Sequence, residues 1–539
     1  MADPAADAIL RYHGRTKHHL DRYARSLGYM DWENQPDPFR VYAGAPRITL
    51  PLMTEDPPTG HHGLFEPVRP PAPLRLATIA GILELSLGLS AWKESGGARW
   101  ALRMNPSSGN LHPTEAHLIV PGMEGCPGGV YHYSPLHHCL ERRAEIPAGL
   151  WDRLRFCLGP EGFLVGLTSI FWRESWKYGE RVFRYCNHDV GHALAALRFA
   201  ANLFGWGLTC LTDLSDDDVE TMLGLNRTRF PSLEAEHSDL MAWVHPWAAG
   251  ELPRTLPSGV LSAFAALAFY GTPNALSREH VDWEIIGQAA EKSRKPATRS
   301  AAGRLARRAW LPAEETGLLA AQIIRRRRSA TAFDPGGSLP RRSFLSLLDR
   351  TLPRGGAAPF DVGLGLPALH LLLFVHRVDD LDAGLYFFCR EDRDLPDVRA
   401  SARPDFLWEP VEPGFPLYRL ARGNFRQTAV RVSCHQDIAG DSVFSLGMIA
   451  RFGDIVRREA FRYRLLFWES GMIGQMLYLE AEARGVRGTG IGCYFDDAVH
   501  AIMGLESDRF QSLYHFTVGH PREDSRIATR PPYFHLSGR

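Results

Sequence analysis

Apolar residues return along this chain with two distinct periods, and each pattern occurs twice. Val190, Leu194, Leu197, Ala201 and Phe204 are spaced i, i+4, i+7, i+11 and i+14, and Met472, Met476, Leu479, Ala483 and Val486 repeat that spacing. Each set predicts a long helix with one apolar stripe. Short apolar runs at 117–120 and 371–375 predict strands, each leading through a turn to a second strand at Gly129-Val130-Tyr131 and Gly384-Leu385-Tyr386. Residues 74–86 and 339–351 predict a further pair of amphipathic helices. Helices and strands mix without strict βαβ alternation, so the pattern predicts an α+β fold.

The repetition extends to short motifs. Phe183-Arg184-Tyr185 is echoed by Phe461-Arg462-Tyr463, and Gly205-Trp206-Gly207-Leu208-Thr209-Cys210 by Gly488-Thr489-Gly490-Ile491-Gly492-Cys493, 283 positions on. Each glycine motif precedes an acidic turn ending in Gly-Leu, Asp216 to Leu225 and Asp496 to Leu505. A duplicated fold implies an internal pseudo-dimer. The expected organisation is an N-terminal arm (1–60), a first domain (61–280), a connector (281–311) and a second domain (312–539). Within the arm, Asp31 to Arg40 reads as a segment laid across a surface. The Lys/Arg/Ser/Ala-rich stretch from Glu291 to Arg308 reads as the inter-copy linker.

Composition narrows the function classes. At 539 residues the chain has room for about two to four domains. Lys+Arg and Asp+Glu are equal at 61 each, so no global field favours nucleic acid or an anionic membrane. No apolar run approaches the roughly 20 residues of a membrane span, and the N-terminus lacks a secretory signal. The eight cysteines include no Cys-x-x-Cys pair and read as buried thiols in a reducing cytoplasm. The excess of Arg over Lys suggests a GC-rich bacterial genome.

The copies disagree where chemistry is expected. Arg325-Arg326-Arg327-Arg328-Ser329-Ala330-Thr331 precedes the second amphipathic helix, and the equivalent of Arg327–Ser329 in copy one is His62-Gly63-Leu64, without arginine or hydroxyl. Conversely, copy one carries Arg103-Met104-Asn105-Pro106-Ser107-Ser108-Gly109-Asn110-Leu111-His112-Pro113, whereas the comparable stretch of copy two, Asp361 to Pro367, has lost the Ser and Asn. Arg-Arg-Ser opening a helix suits a phosphate, although a solvated basic run at a helix end fits the same residues. Pro-Ser-Ser-Gly-Asn is a turn-forming string that fits a ribityl chain and a flavin's polar edge, or a helix cap. The Gly-x-Gly-x-x-Cys repeat follows a helix and is therefore not a dinucleotide fingerprint; its glycines let backbone approach something flat, or let a helix turn into a strand. His13, His18 and His19 lack metal-ligand spacing. His188 and His192 have i, i+4 spacing around Asp189, but the glutamate of His-Glu-x-x-His is missing and Gln475 stands at the copy-two position of His192, so no metal site is expected.

Taken in order, these motifs resemble the nitroreductase-like family of FMN-dependent oxidoreductases. Within that family the chain looks most like tandem, fused-copy members of the azoline-dehydrogenase-like branch, a likeness carried by Pro106–Pro113 and by Asp31 to Arg40. The resemblance implies two fused nitroreductase-like domains, each a mainly antiparallel sheet flanked by helices, forming an intramolecular pseudo-dimer around FMN. It implies that Arg327, Arg328, Ser329 and Thr331 of copy two join Pro106, Ser107, Ser108 and Asn110 of copy one, with Arg103 beside them. Gly488, Gly490, Ile491 and Gly492 would face the isoalloxazine, where a backbone N–H near Gly490–Gly492 would bond N5 or O4. Arg526, with Arg530 as alternative, would be the late phosphate ligand. One intact site and one lost mirror-image site are expected. The implied activity is hydride transfer through flavin N5, on a small molecule or a modified peptide, with NAD(P)H a candidate donor. The alternatives are an azoline-type peptide dehydrogenase using oxygen and a non-catalytic flavin- or peptide-binding scaffold. No general base stands out; His112, Tyr185, Lys177 and Glu469 are candidates. A cytoplasmic monomer that binds neither nucleic acid nor membrane completes the expectation.

Overall fold

The computed structural model describes residues 3–66, 69–247, 253–299, 303, 305–306, 308–312, 316–365 and 367–536. Of the anticipated connector, residues 300–302, 304 and 307 lie outside the described residues, as does Leu366 of the copy-two stretch.

Two antiparallel seven-stranded sheets form the cores, and their strand orders correspond. The first runs Arg47–Thr49, Cys139–Glu145, Gly129–Ser134, Thr114–Val120, Phe163–Ser169, His237–Pro246 and Trp206–Cys210. The second runs Glu409–Glu412, Phe415–Arg422, Gly384–Phe388, Leu369–Val375, Phe444–Arg451, Phe510–Gly519 and Arg487–Ile491. The α+β class is as the pattern predicted, and the doubled antiparallel sheet flanked by helices is as the resemblance implied. The outer strand opposite each glycine motif has a different origin in the two halves. In the first half the arm supplies it, through Arg47–Thr49 pairing with Cys139–Glu141; in the second a local hairpin does.

The ladders correct the sequence register. Val120 pairs with Gly129 as Val375 pairs with Gly384, a displacement of 255. Val165 pairs with Ala242 as Leu446 pairs with Phe516, and Ala242 pairs with Cys210 as Phe516 pairs with Gly490, which makes Cys210 the counterpart of Gly490, a displacement of 280. The glycine motifs, matched at 283, are therefore three residues out of step: Leu208 corresponds to Gly488, Cys210 to Gly490 and Leu211 to Ile491, and Gly205 to Gly485, both with positive φ. A shift of three exchanges the faces of a strand, so matching by residue identity misassigns the side each glycine presents. The motif's second copy is a strand rather than a loop, and the acidic turns are helices, Asp216–Leu223 and Asp496–Met503, each closed by a left-handed glycine, Gly224 and Gly504.

The halves meet along the two long helices, Val182–Leu203 and Arg462–Ala483. The single apolar stripe expected of each is incomplete: every residue of the first is buried, and most of the second. They cross at paired glycines. A Cβ on Gly191 would lie 2.1 Å from the Trp468 carbonyl oxygen, and one on Gly471 2.1 Å from that of His188. Flanking the crossing, Arg184 binds Asp496 at 2.6 Å and Arg464 binds Asp216 at 2.8 Å, reciprocal bonds between corresponding residues. The helix Pro4–Arg15, which the sequence pattern did not predict, buries Tyr12 and His13 at this seam. Among the described residues no helix is long and apolar enough to cross a membrane.

Candidate functional site

A cavity of about 1200 Å3 opens between the halves. Its polar wall from the first half is the loop after the strand Ala98–Arg103. Gly109, Asn110 and His112 all have positive φ (63°, 59° and 52°), and for the two non-glycine residues that conformation is costly and must be enforced by neighbours. Asn110 Nδ2 donates to Ala101 O at 2.8 Å, the His112 amide donates to Ser107 Oγ at 2.8 Å, and the His112 ring meets Asn110 Oδ1 at 3.0 Å. Asp189, on the first long helix, accepts from the Ser108 amide at 3.1 Å and from its hydroxyl at 3.2 Å.

The opposing wall comes from the second half. The helix Ala320–Arg326 ends at Arg327, and the next helix begins only at Arg341. Arg-Arg-Ser therefore closes a helix, and the expectation that it opens one beside free N–H groups is corrected. The carbonyls exposed there take the guanidinium groups instead: Arg328 Nη1 donates to Arg325 O at 2.9 Å. Both arginines also reach across the seam, Arg327 to Met104 O (3.0 Å) and Arg103 O (3.1 Å), and Arg328 to Ser90 O (2.9 Å). Among the described residues these two form no ion pair. Burial lowers the pKa of Arg327, and burial together with Arg327 lowers that of Arg328 to about 10. Two guanidinium groups thus converge on the cavity wall with only carbonyl partners, a charge state that favours an anionic ligand.

Tyr478 ties these parts together. Its hydroxyl lies 2.8 Å from Ser329 Oγ and accepts the Gly490 amide at 2.9 Å. The Gly490 N–H expected to face a flavin is therefore bonded to Tyr478, while Gly492 and Cys493 lie beyond the last ladder pair, Ile491 with His515. Gly490 must be glycine because a Cβ would sit 1.9 Å from Tyr514 Oη.

Of the residues named from sequence, Arg103, Pro106, Ser107, Ser108, Asn110, Arg327, Arg328, Ser329, Thr331, Gly490, Ile491 and Gly492 line this one cavity. Gly488 does not; it is buried against Phe516 and Tyr478. Arg526 is exposed and clasped by Asp524 two residues away, and Arg530 binds Glu94; neither lines the cavity. Arg522, Arg487, Arg326 and Lys93 line it instead, although in the sequence they resemble ordinary surface charges. Asp189, His192 and Tyr478 were also missed as lining residues. The polar string Asn187-His188-Asp189 inside an otherwise apolar helix was the available signal for the first two. His188 bonds the Leu513 carbonyl at 3.0 Å, and His192 lies 3.2 Å from Tyr514 Oη.

The candidate bases separate on geometry and charge. Glu469 binds Arg390 and the Ala368 amide away from the cavity. Burial, then Arg103 and Arg173, hold His112 well below the usual histidine range, so it is neutral. Tyr185 is raised by burial and donates to Gly492 O at 3.1 Å. Lys177 lines the cavity with its pKa lowered by burial against the pull of Glu174.

The mirror-image position is built differently. Asp361, corresponding in register to Pro106, accepts a bidentate bond from Arg198 at 2.9 and 2.8 Å, and the Cys210 amide donates to Val362 O at 2.9 Å. The copy-two stretch is thereby drawn onto the edge strand of the first sheet, with a cavity of about 340 Å3 beside it.

No family model matches the chain. Over 158 residues it is 25% identical to the "Putative nitroreductase MJ1384" of Methanocaldococcus jannaschii, covering 28% of this chain and 75% of that one. Over 150 residues it is 29% identical to the trifolitoxin-processing protein TfxB of Rhizobium leguminosarum bv. trifolii, covering 26% of this chain and 39% of TfxB. A crystal structure named as a putative nitroreductase from Anabaena variabilis superimposes over 96% of this chain and 99% of its own, with a TM-score of 0.69 and 20% identity. The fold is nitroreductase-like, with both halves in one chain, and parts of the sequence are similar to a protein named as a nitroreductase and to one named for trifolitoxin processing.

Proposed function

We propose that this chain is an FMN-dependent oxidoreductase that holds one FMN in the cavity between its halves. The observation that carries the proposal is the convergence of Arg327 and Arg328, without a carboxylate partner, on a cavity whose other wall is Ser107, Ser108 and Asn110. The donor set fits the cofactor: guanidinium groups and Ser329 for a phosphate, hydroxyls and an amide for a ribityl chain, and backbone at Gly490–Gly492 for a flat ring. Arg103 Nε, Asn105 Oδ1 and His112 Nδ1 are buried without protein partners at this wall, which suits a polar ligand edge. Bound FMN supplies hydride chemistry at N5. The chain's own work is to position the ring from both halves, to shield it with Tyr178, Tyr185 and Tyr514, and to take a proton at Lys177 Nζ.

A modified peptide is the favoured substrate class, supported by the similarity to a protein named for toxin processing and by a cavity that continues past Lys177 to Tyr23 and Ser26 of the arm. Oxygen is then the electron acceptor; a small-molecule substrate with NAD(P)H as donor is the competing assignment. The test is cofactor retention. The double variant Arg327→Ala/Ser329→Ala should purify colourless, whereas His62→Ala, at the exposed mirror position, should keep wild-type flavin. Equal loss in both would overturn the one-site assignment. Reduction of the bound flavin by NADH or NADPH, against peptide alone, separates the two substrate assignments.

A further inference from the structure

The same cavity wall carries a thiol, Cys493, with a second, Cys434, beside it, and the proposed chemistry uses neither. Cys493 follows Gly492 and lines the cavity. The segment Val432–Gln436 lies against it, fixed at both ends: the Phe495 amide donates to Val432 O at 2.9 Å, and Gln436 Nε2 donates to Cys493 O at 3.2 Å. Cys434 sits midway between those bonds, and its thiol interacts directly with that of Cys493. Cys434 and His435 both have positive φ, 53° and 58°, a conformation that non-glycine residues adopt only where the surroundings impose it.

The pair shares its partial exposure with Cys157 and differs from the other five cysteines. Both thiols are partly exposed, whereas Cys126, Cys139, Cys186, Cys210 and Cys389 are buried. Burial pushes Cys210 and Cys389 up to about 12, so neither forms a thiolate near neutrality. Cys493 moves the opposite way: the hydrogen bond from Cys434 lowers its pKa against burial, assisted by the Arg181 guanidinium, whose Nη2 donates to Gly492 O at 3.3 Å. The register matches Cys210 with Gly490, so the first half has no thiol at the position of Cys493.

We propose that Cys493 in the cavity wall and Cys434 beside it are a redox-active dithiol, oxidised by a hydroperoxide to a reversible disulfide. The Cys493 thiolate attacks one peroxide oxygen; the O–O bond breaks, water leaves after protonation, and a sulfenic acid forms on Cys493. The Cys434 sulfur then attacks the Cys493 sulfur; the S–O bond breaks, a second water leaves with the Cys434 proton, and the S–S bond forms. Two thiols and one hydrogen peroxide become one disulfide and two waters. The bond would link the segment bearing Gln436 to the end of the strand bearing Gly490. This inference does not rest on the flavin assignment.

The experiment uses the reduced, full-length wild-type chain, freed of reductant and treated with an equimolar amount of hydrogen peroxide. It is then blocked with N-ethylmaleimide, digested and analysed by mass spectrometry. The expected result is a peptide pair joined through Cys434 and Cys493, two fewer maleimide additions, and recovery of both with dithiothreitol. In Cys434→Ser, Cys493 should instead stop at a sulfenic acid that dimedone traps. Oxygen addition without a cross-link, a disulfide to another cysteine, or both thiols remaining fully alkylated would each overturn the proposal.

Discussion

Asp189 holds the serine loop in place and titrates near neutral pH. Burial raises its pKa to about 7, against the hydrogen bonds from Ser107 and Ser108. Its folded-state pKa therefore lies above the ordinary 3.8, so the folded chain binds the proton more tightly than the unfolded one between those values. Stability contributed at this position is present below pH 3.8 and falls as pH rises toward about 7. In Asp189→Asn that slope should vanish: urea unfolding at pH 5 and pH 7 should differ less for the variant than for the wild type. An unchanged slope would show that another group carries it. Nearby, Lys177→Met should leave flavin retention intact and lower turnover by about 100-fold or more, the range of a lost general base; loss of the flavin instead would make Lys177 a binding residue.

Between elements, the decisive quantity is register, and here much of the fold was legible while its alignment was not. Both long helices and the paired strands follow from periodicity; the shared strand order does not. Nor does the three-residue slip between the glycine motifs, because only the ladders Ala242–Cys210 and Phe516–Gly490 fix it. The Pro-Ser-Ser-Gly-Asn and Arg-Arg-Ser strings were legible as chemistry because their residue types are unusual. Arg526 could not be eliminated, since its neutralisation by Asp524 is a rotamer choice that leaves no periodic trace. The helix crossing gives the sharpest element-level prediction. Gly191→Ala places a methyl group against the Trp468 carbonyl, which a packed helix pair relieves only by separating. The variant should lose about 1–3 kcal/mol in urea unfolding and release flavin, because both cavity walls are fixed to these helices. Wild-type stability with full retention would show that the crossing tolerates spreading.

A second element-level contrast lies in the first sheet. His132 bonds Glu115 at 2.9 Å and Glu141 at 3.1 Å, whereas the second half has Phe387 in that register. Burial acts to lower the histidine, but the two carboxylates prevail and raise it to about 9. The raised pKa makes its stabilisation complete below the ordinary 6.5 and lost as pH climbs through about 9. His132→Phe copies the second half, yet removes the donor that Glu115 and Glu141 share, leaving them to Arg173 and Arg47, and should cost about 1–3 kcal/mol at pH 6. The gap from wild type should narrow at pH 9.5. Arg173, bonded to Glu115 and to His112 O, connects this network to the serine loop, so the variant should also weaken flavin retention.

At the scale of the whole molecule, two nearly equivalent halves produce one equipped cavity because each has kept only its own share of donors. Where Ser107 and Ser108 stand in the first half, the second has Val362 and Gly363, and the backbone there is bonded to the strand Trp206–Cys210 rather than held off it. Arg198 secures that closure through Asp361. Flavin released by denaturation should therefore amount to one FMN per chain, measured by absorbance against protein concentration. Arg198→Ala tests whether closure or missing chemistry is responsible. Removing the guanidinium leaves Asp361 without its partner and should destabilise the chain, but the mirror position still lacks arginine at His62 and hydroxyls at 362–363. The stoichiometry should stay at one. A second equivalent of FMN in Arg198→Ala would mean that the backbone alone keeps the mirror site shut; two equivalents in the wild type would mean that the donor set argued for the first cavity is not what selects the cofactor.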